Sequence, residues 1–310
     1  MQYAPGIEEF VARSNKAMPP DFYQKPVEEQ RALYLGLGRE FPYELPTGVE
    51  ITDDAVEHEG RRIPLRVYRP AERAGRGVLL YIRGGGFVVG SLETHNTVAA
   101  ELASNSGLTT IAVDFRMAPE HPFPACLEDC YGALSGVAAQ AERFDIDPDR
   151  IVVCGDSSGG NMSVVLCMMS RDRQGPKIAG QASISPVLDF SRWRDGGEDA
   201  PLLTGGEMEY YTACYCPDAA DVLHPYVSPL VRGEFHDLPP AYIMGAELDS
   251  LVVDSTTYAD KLRENGTEAE VVVEPGLVHA AVRARQLSPA VMDAWHRFCA
   301  AAARLAGANR

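Results

Sequence analysis

Positive charge is scarce in this sequence: 28 lysines and arginines stand against 44 aspartates and glutamates, giving a formal net charge of −16 and a pI near 4.9. Phosphate backbones and anionic membrane surfaces repel so acidic a chain, which argues against nucleic acid and lipid as partners. No apolar run approaches the roughly 20 residues that span a bilayer. The start, Met1-Gln2-Tyr3-Ala4-Pro5, lacks the basic residues and apolar core of a secretory signal. The seven cysteines are an odd number without metal-ligand spacing. Cys214 and Cys216 are too close to make a zinc pair without further partners, and Cys154, Cys167 and Cys299 fall in segments expected to be buried. Free thiols in a reducing cytoplasm, with no metal and no cofactor, are the expectation. Repeats and low-complexity stretches are absent too.

Against these absences stands one dense motif. The apolar segment 151–154 runs into Gly155-Asp156-Ser157-Ser158-Gly159, and a helix-like stretch follows over 161–171. A G-x-S-x-G turn between strand and helix lifts its central side chain off the sheet edge and points the free N–H groups of the next helix at the same spot. The central residue is Ser157, because a frame centred on Ser158 would need glycine at Asp156. The pentapeptide alone is weak; the strand before it and the helix after it give it weight.

A serine at neutral pH needs a base to take its proton and an acid to orient that base. Of seven histidines, only His279 lies on a loop between a late strand, 270–276, and a C-terminal helix beginning near Ser288. His296 falls inside that helix, as a packing or surface residue. The segment 238–245 reads as a buried parallel strand, and the loop after it offers Asp249, with Glu247 and Asp254 as alternatives. The order Ser157, Asp249, His279 is that of α/β-hydrolases, not of the chymotrypsin or subtilisin folds.

The third requirement is a cradle for the charge that develops on a carbonyl oxygen. A strand pattern over 77–82 ends in Arg83-Gly84-Gly85-Gly86-Phe87, where three glycines leave backbone N–H groups bare. A phosphate loop would need a Lys-Ser/Thr pair after the glycines, and none is present. A flexible linker is the other bland alternative.

Taken together, the glycine loop at 83–87, the segment 114–125, the elbow 155–160, Asp249-Ser250-Leu251 and Val278-His279-Ala280 resemble the hormone-sensitive-lipase group of α/β-hydrolases, the bacterial family IV carboxylesterases. The resemblance covers most of the chain. It implies Ser157 as nucleophile, Asp249 and His279 as its partners, and the N–H groups of Gly85, Gly86 and Ser158 as the oxyanion hole. Three positions depart from the family pattern. Arg83 replaces a histidine thought to brace the loop, so its guanidinium is expected either to brace the same region or to face the pocket. Ser250 stands where proline is usual, with Val253 where a second acid is common, and Ala281 replaces an aromatic residue near His279.

Two early strands, over 51–58 and 63–69, are followed by alternating strands and helices, a pattern that predicts one α/β domain with a mostly parallel eight-stranded sheet flanked by helices. Residues 1 to about 45 and about 190–235, the latter with Trp193, Met208, Tyr210, Tyr211 and Tyr215, break the alternation. They are expected to form a helical cap. The expected activity is hydrolysis of small or medium carboxylic esters, with the acyl pocket beside Phe87. An acyltransferase or amidase would use the same acyl-enzyme. The reading from a different class is a non-catalytic ligand-binding protein, as in the plant gibberellin receptors, which resemble the same family but lack the histidine. Oligomeric state stays open, homodimers being common in the family it resembles.

Overall fold

The computed structural model describes residues 2–308; Met1, the first residue of the stretch assigned to the cap, lies outside the described residues. Two helices open the chain, α1 (Ile7–Ala17) and α2 (Val27–Glu40), and the hairpin β1 (Val49–His58) and β2 (Arg61–Pro70) follows. Next come β3 (Val78–Ile82), α3 (Asn96–Ser106), β4 (Thr109–Val113), α4 (Ala125–Ala139), the single turn α5 (Ala141–Phe144), β5 (Ile151–Asp156) and α6 (Ser158–Asp172). The remainder comprises β6 (Gly180–Ile184), α7 (Gly205–Tyr215), the short α8 (Pro229–Arg232), β7 (Ala241–Ala246), α9 (Val252–Glu264), β8 (Ala269–Glu274) and α10 (Pro289–Leu305). One eight-stranded sheet results, in the order β1-β2-β4-β3-β5-β6-β7-β8. Only β1 with β2 and β2 with β4 pair antiparallel; every other pair is parallel.

The central strands are apolar on both faces because helices cover both faces. Along β3, Val78, Leu80 and Ile82 join the cluster under α4, α6 and α9, while Leu79 and Tyr81 join the one under α3 and α10. The β1–β2 turn is Glu59-Gly60 with φ of 49° and 75°, the two-residue turn whose twist suits adjoining strands. Strand β7 starts three residues later than the sequence pattern suggests. Pro239 and Pro240 bring no N–H to a ladder; their carbonyls accept instead from the Gln181 side chain and backbone, both at 3.0 Å. All seven cysteines are free, six of them buried and Cys214 half-buried. No helix among the described residues is long and apolar enough to cross a bilayer.

Helices form in both stretches that break the alternation. Gln30 of α2 donates to the Tyr210 hydroxyl of α7 at 2.9 Å, and Arg31 donates to the carbonyls of Val88 and Ala118 at 2.9 and 3.1 Å. These bonds tie α2 to α7 and to the glycine-loop region below them.

Among the glycines of the described residues, the least room for a side chain is where the end of β3 meets the start of α6. A Cβ on Gly159 would sit 2.0 Å from the Ile82 carbonyl oxygen, an overlap that no rotamer change relieves. Gly159→Ala should therefore destabilise by roughly 3 kcal/mol or more. Gly38 on the exposed side of α2 has nothing within 4 Å of the same position, and Gly38→Ala should be neutral or stabilising by up to about 1 kcal/mol. Denaturant titration of the two variants checks the contrast.

Candidate active site

Ser157 links β5 to α6 with φ 53° and ψ −119°, a conformation whose strain for a non-glycine residue is of order 1–3 kcal/mol. Its N–H donates to the Ile184 carbonyl at 2.8 Å and its carbonyl accepts from Asn161 at 3.0 Å. A Cβ on Gly155 would meet the Ile82 oxygen at 2.4 Å and the Gly159 oxygen at 2.5 Å. Both glycines of the elbow are thus required by close backbone approach.

The structure brings Ser157, His279 and Asp249 together. Ser157 Oγ lies 3.0 Å from His279 Nε2, and His279 Nδ1 lies 2.7 Å from Asp249 Oδ2. An ionised carboxylate only accepts, so Nδ1 carries the ring proton and Nε2 is left to accept from the serine hydroxyl. Asp249 Oδ1 accepts from the Leu251 N–H at 3.0 Å, which fixes the carboxylate's rotation. Burial pulls the His279 pKa down, but the charge and hydrogen bond of Asp249, helped by Glu207 and Asp156, outweigh it and leave the imidazole more basic than usual.

The alternative acids are engaged elsewhere. Glu247 Oε2 accepts from the Gly276 N–H at 2.7 Å, and the Leu248 N–H donates to the Leu277 carbonyl at 2.9 Å, so this segment ties the Asp249 loop to the His279 loop. Asp254 is buried on α9, where it accepts from the N–H groups of Leu188 and Asp189 at 2.7 and 3.1 Å and pairs with Arg192. His296 lies exposed on α10.

Past β3, Gly85 and Gly86 have φ of 124° and 56°, and a Cβ there would strike the Val89 oxygen at 2.2 Å or the Tyr211 ring at 2.3 Å. Gly84 N–H donates to Asp156 Oδ1 at 3.1 Å, anchoring the loop to the elbow. The N–H groups of Gly85, Gly86 and Ser158 make no hydrogen bond among the described residues. These three residues share a wall with Ser157 and His279, around a cavity of about 220 Å³.

That wall carries Phe87 but not Arg83. Arg83 is 2% exposed; it donates to the Val89 carbonyl at 3.3 Å, contacts Met117 Sδ at 3.3 Å, and lies 4.3 Å from the Phe115 ring centroid and 3.8 Å from Asp114. Phe87 stacks on Tyr215 with ring centroids 3.7 Å apart.

Three parts of the site go beyond the sequence reading. Below the elbow, Asp156 accepts from the Tyr81 hydroxyl at 2.7 Å and lies 3.6 Å from His95. Burial pushes its carboxyl up, and the opposing pull of His95, Tyr81 and Arg283 leaves it at about 2. The alternation of β5 carried this signal, since Asp156 shares a face with Val152 and Cys154 and so turns towards Tyr81. On the far wall, Phe10, Ser14 and Asn15 of α1 and Glu207 of α7 reach the cavity.

A family model described as alpha/beta hydrolase fold matches residues 79–283. The carboxylesterase NlhH of Mycobacterium tuberculosis is 36% identical over 272 residues, covering 85% of both chains. An arylesterase of Saccharolobus solfataricus is 29% identical over 287 residues, covering 90% of this chain and 92% of its own. Among solved structures, a hyperthermophilic esterase from the archaeon Pyrobaculum calidifontis superposes with a TM-score of 0.89 at 30% identity over 99% of each chain. The chain belongs to the α/β-hydrolase family.

The geometry predicts selective reactivity. An organophosphate should label Ser157 and leave Ser158, whose hydroxyl is buried and unpartnered. The labelling rate should rise with pH through a midpoint above the ordinary imidazole value of about 6.5, because only the neutral ring accepts the serine proton and the His279 pKa is raised. Peptide mass spectrometry with a pH series checks both; a label on Ser158, or a rate without this step, contradicts the assignment.

Proposed function

We propose that the protein is a serine carboxylesterase acting on small to medium carboxylic esters. One observation carries the reading: the hydrogen-bonded series Ser157, His279, Asp249, at 3.0 and 2.7 Å, opens onto a cavity whose wall also presents the unpaired N–H groups of Gly85, Gly86 and Ser158. His279 Nε2 takes the Ser157 proton as Oγ attacks the ester carbonyl, and Asp249 steadies the imidazolium that forms. The three N–H groups stabilise the oxyanion of the tetrahedral intermediate. His279 then protonates the leaving alcohol, and a water repeats the cycle on the acyl group held by Ser157. An alcohol or amine entering in place of that water would make the same acyl-enzyme serve transfer.

The N-terminal helices and the 190–235 segment act in this scheme as the cap. They close an apolar cavity of about 220 Å³, which suits a substrate well short of a long-chain triglyceride. The relatives named as carboxylesterase and arylesterase support the reading. The free thiols support a reducing compartment such as the cytoplasm. A non-catalytic role draws its motive from Arg83, and a guanidinium off the cavity wall weakens it. We assign Arg83 to bracing the glycine loop through the Val89 carbonyl.

On a short-chain p-nitrophenyl ester, Ser157→Ala should lower kcat/KM by roughly 10⁴-fold or more, while Ser158→Ala keeps substantial activity. Asp249→Asn should lower turnover by roughly 10³- to 10⁴-fold with little change in stability, and Glu247→Gln should do far less. If Glu247→Gln is the more damaging change, the acid is wrong. For Arg83→Ala, a fall of roughly ten- to a hundred-fold is expected on neutral and carboxylate-bearing esters alike. A defect confined to the anionic ester would mean that Arg83 binds substrate.

A further inference from the structure

Glu207, a carboxyl group on the cavity wall, forms no ion pair with a lysine or arginine among the described residues. The residue is 8% exposed and shares the cavity wall with apolar residues that include Phe190, Leu203 and Met208. Its nearby polar groups are the Tyr211 hydroxyl, the Thr204 N–H and the imidazole of His279. The two other charges on the wall, Asp156 and Arg283, act on each other and leave Glu207 with only the imidazole of His279. A buried carboxylate that lacks a partner is costly, so such a group invites one.

A helix-capping role accounts for part of this arrangement. Thr204 is the N-cap of α7, its hydroxyl accepts from the Glu207 N–H at 3.1 Å, and Glu207 reaches back towards the Thr204 N–H. Glutamine serves that reciprocal cap equally well. Capping therefore explains the length of the side chain but not its charge, nor its place beside the reacting groups.

We propose that Glu207 makes the cavity selective for esters that carry a protonated amine on the portion lying against α7. The proposal rests on the esterase reading. An ammonium entering the cavity would meet a carboxylate in surroundings where a charge-assisted hydrogen bond is strong. The acidity of the whole chain works in the same direction, since a net charge of −16 draws cations towards the surface and repels anions. Burial raises the Glu207 carboxyl to about 7, against the opposing pull of His279 and of its two hydrogen-bonding neighbours. The selectivity should therefore be lost as the solution is acidified through that value.

Two pairs of esters test this, each matched in shape and differing in one ammonium group. The p-nitrophenyl esters of heptanoic acid and ω-aminohexanoic acid probe the acyl side; isopentyl acetate and dimethylaminoethyl acetate probe the alcohol side. The readout is the ratio of kcat/KM within a pair, at an ionic strength that screens long-range attraction. In wild type the ammonium ester should be favoured by roughly tenfold or more in one pair, and Glu207→Gln, which keeps the cap, should bring that ratio close to unity. An independent reading needs no variant. The wild-type ratio, referred to the protonated fraction of the amine, should fall as pH drops from about 8.5 to about 5.5, while His279, common to both esters of a pair, cancels. A ratio near unity in both pairs overturns the proposal, as does a preference that survives Glu207→Gln or stays flat with pH. If the neutral esters are not hydrolysed at all, the esterase reading itself fails and this inference falls with it.

Discussion

The contact between the end of β3 and the turn from β5 into α6 sets the geometry of the site. Ile82 brings its carbonyl so close to positions 155 and 159 that neither tolerates a Cβ. The chain then reverses direction through Ser157 at a positive φ. That reversal puts the hydroxyl at the sheet edge and the first N–H of α6 beside it. The same strand end releases the Gly84–Gly86 loop, which Asp156 holds against the elbow. The proposed nucleophile and the proposed oxyanion donors are consequently positioned by one packing constraint, so a change that loosens it acts on both.

Electrostatics completes what packing begins. Asp249 is almost fully buried, and its carboxylate faces His279 on one oxygen and a backbone N–H on the other. A low-dielectric setting makes that pairing strong and would make an unpaired charge there expensive. Beneath the elbow, Asp156 is held ionised by Tyr81, His95 and Arg283 and in turn orients the glycine loop. Arg83 acts on the outer side of that loop, where cation–π contact with Phe115 and the Val89 carbonyl accommodate a charge the surroundings would otherwise disfavour. In the proposed scheme the loop is therefore held from two sides, by the Asp156 carboxylate and by the Arg83 guanidinium.

Much of this was legible in the sequence, where the signals are local. A strand, a G-x-S-x-G turn and a helix mark Ser157; a histidine between the last strand and the last helix marks His279; and the alternation of elements gives the sheet. Less legible was the choice among Glu247, Asp249 and Asp254, three carboxyls within eight positions. It depends on where β7 ends and on partners remote in sequence, Gly276 for Glu247 and Leu188 for Asp254. Arg83 was ambiguous for a related reason, since its direction follows from the course of segment 114–117. Glu207 gave no functional signal. Thr204-Gly205-Gly206-Glu207 reads as a helix cap, and only the packing of α7 over the elbow turns that cap towards His279.

The proposed reaction turns on a covalent acyl group at Ser157. Mixing the enzyme with excess p-nitrophenyl ester, quenching in acid and mapping peptides by mass spectrometry tests this directly. The prediction is an early burst of nitrophenol, with the acyl mass on Ser157 and none on Ser158. Steady release of product with no acylated peptide, or an acyl group carried by another residue, would contradict it.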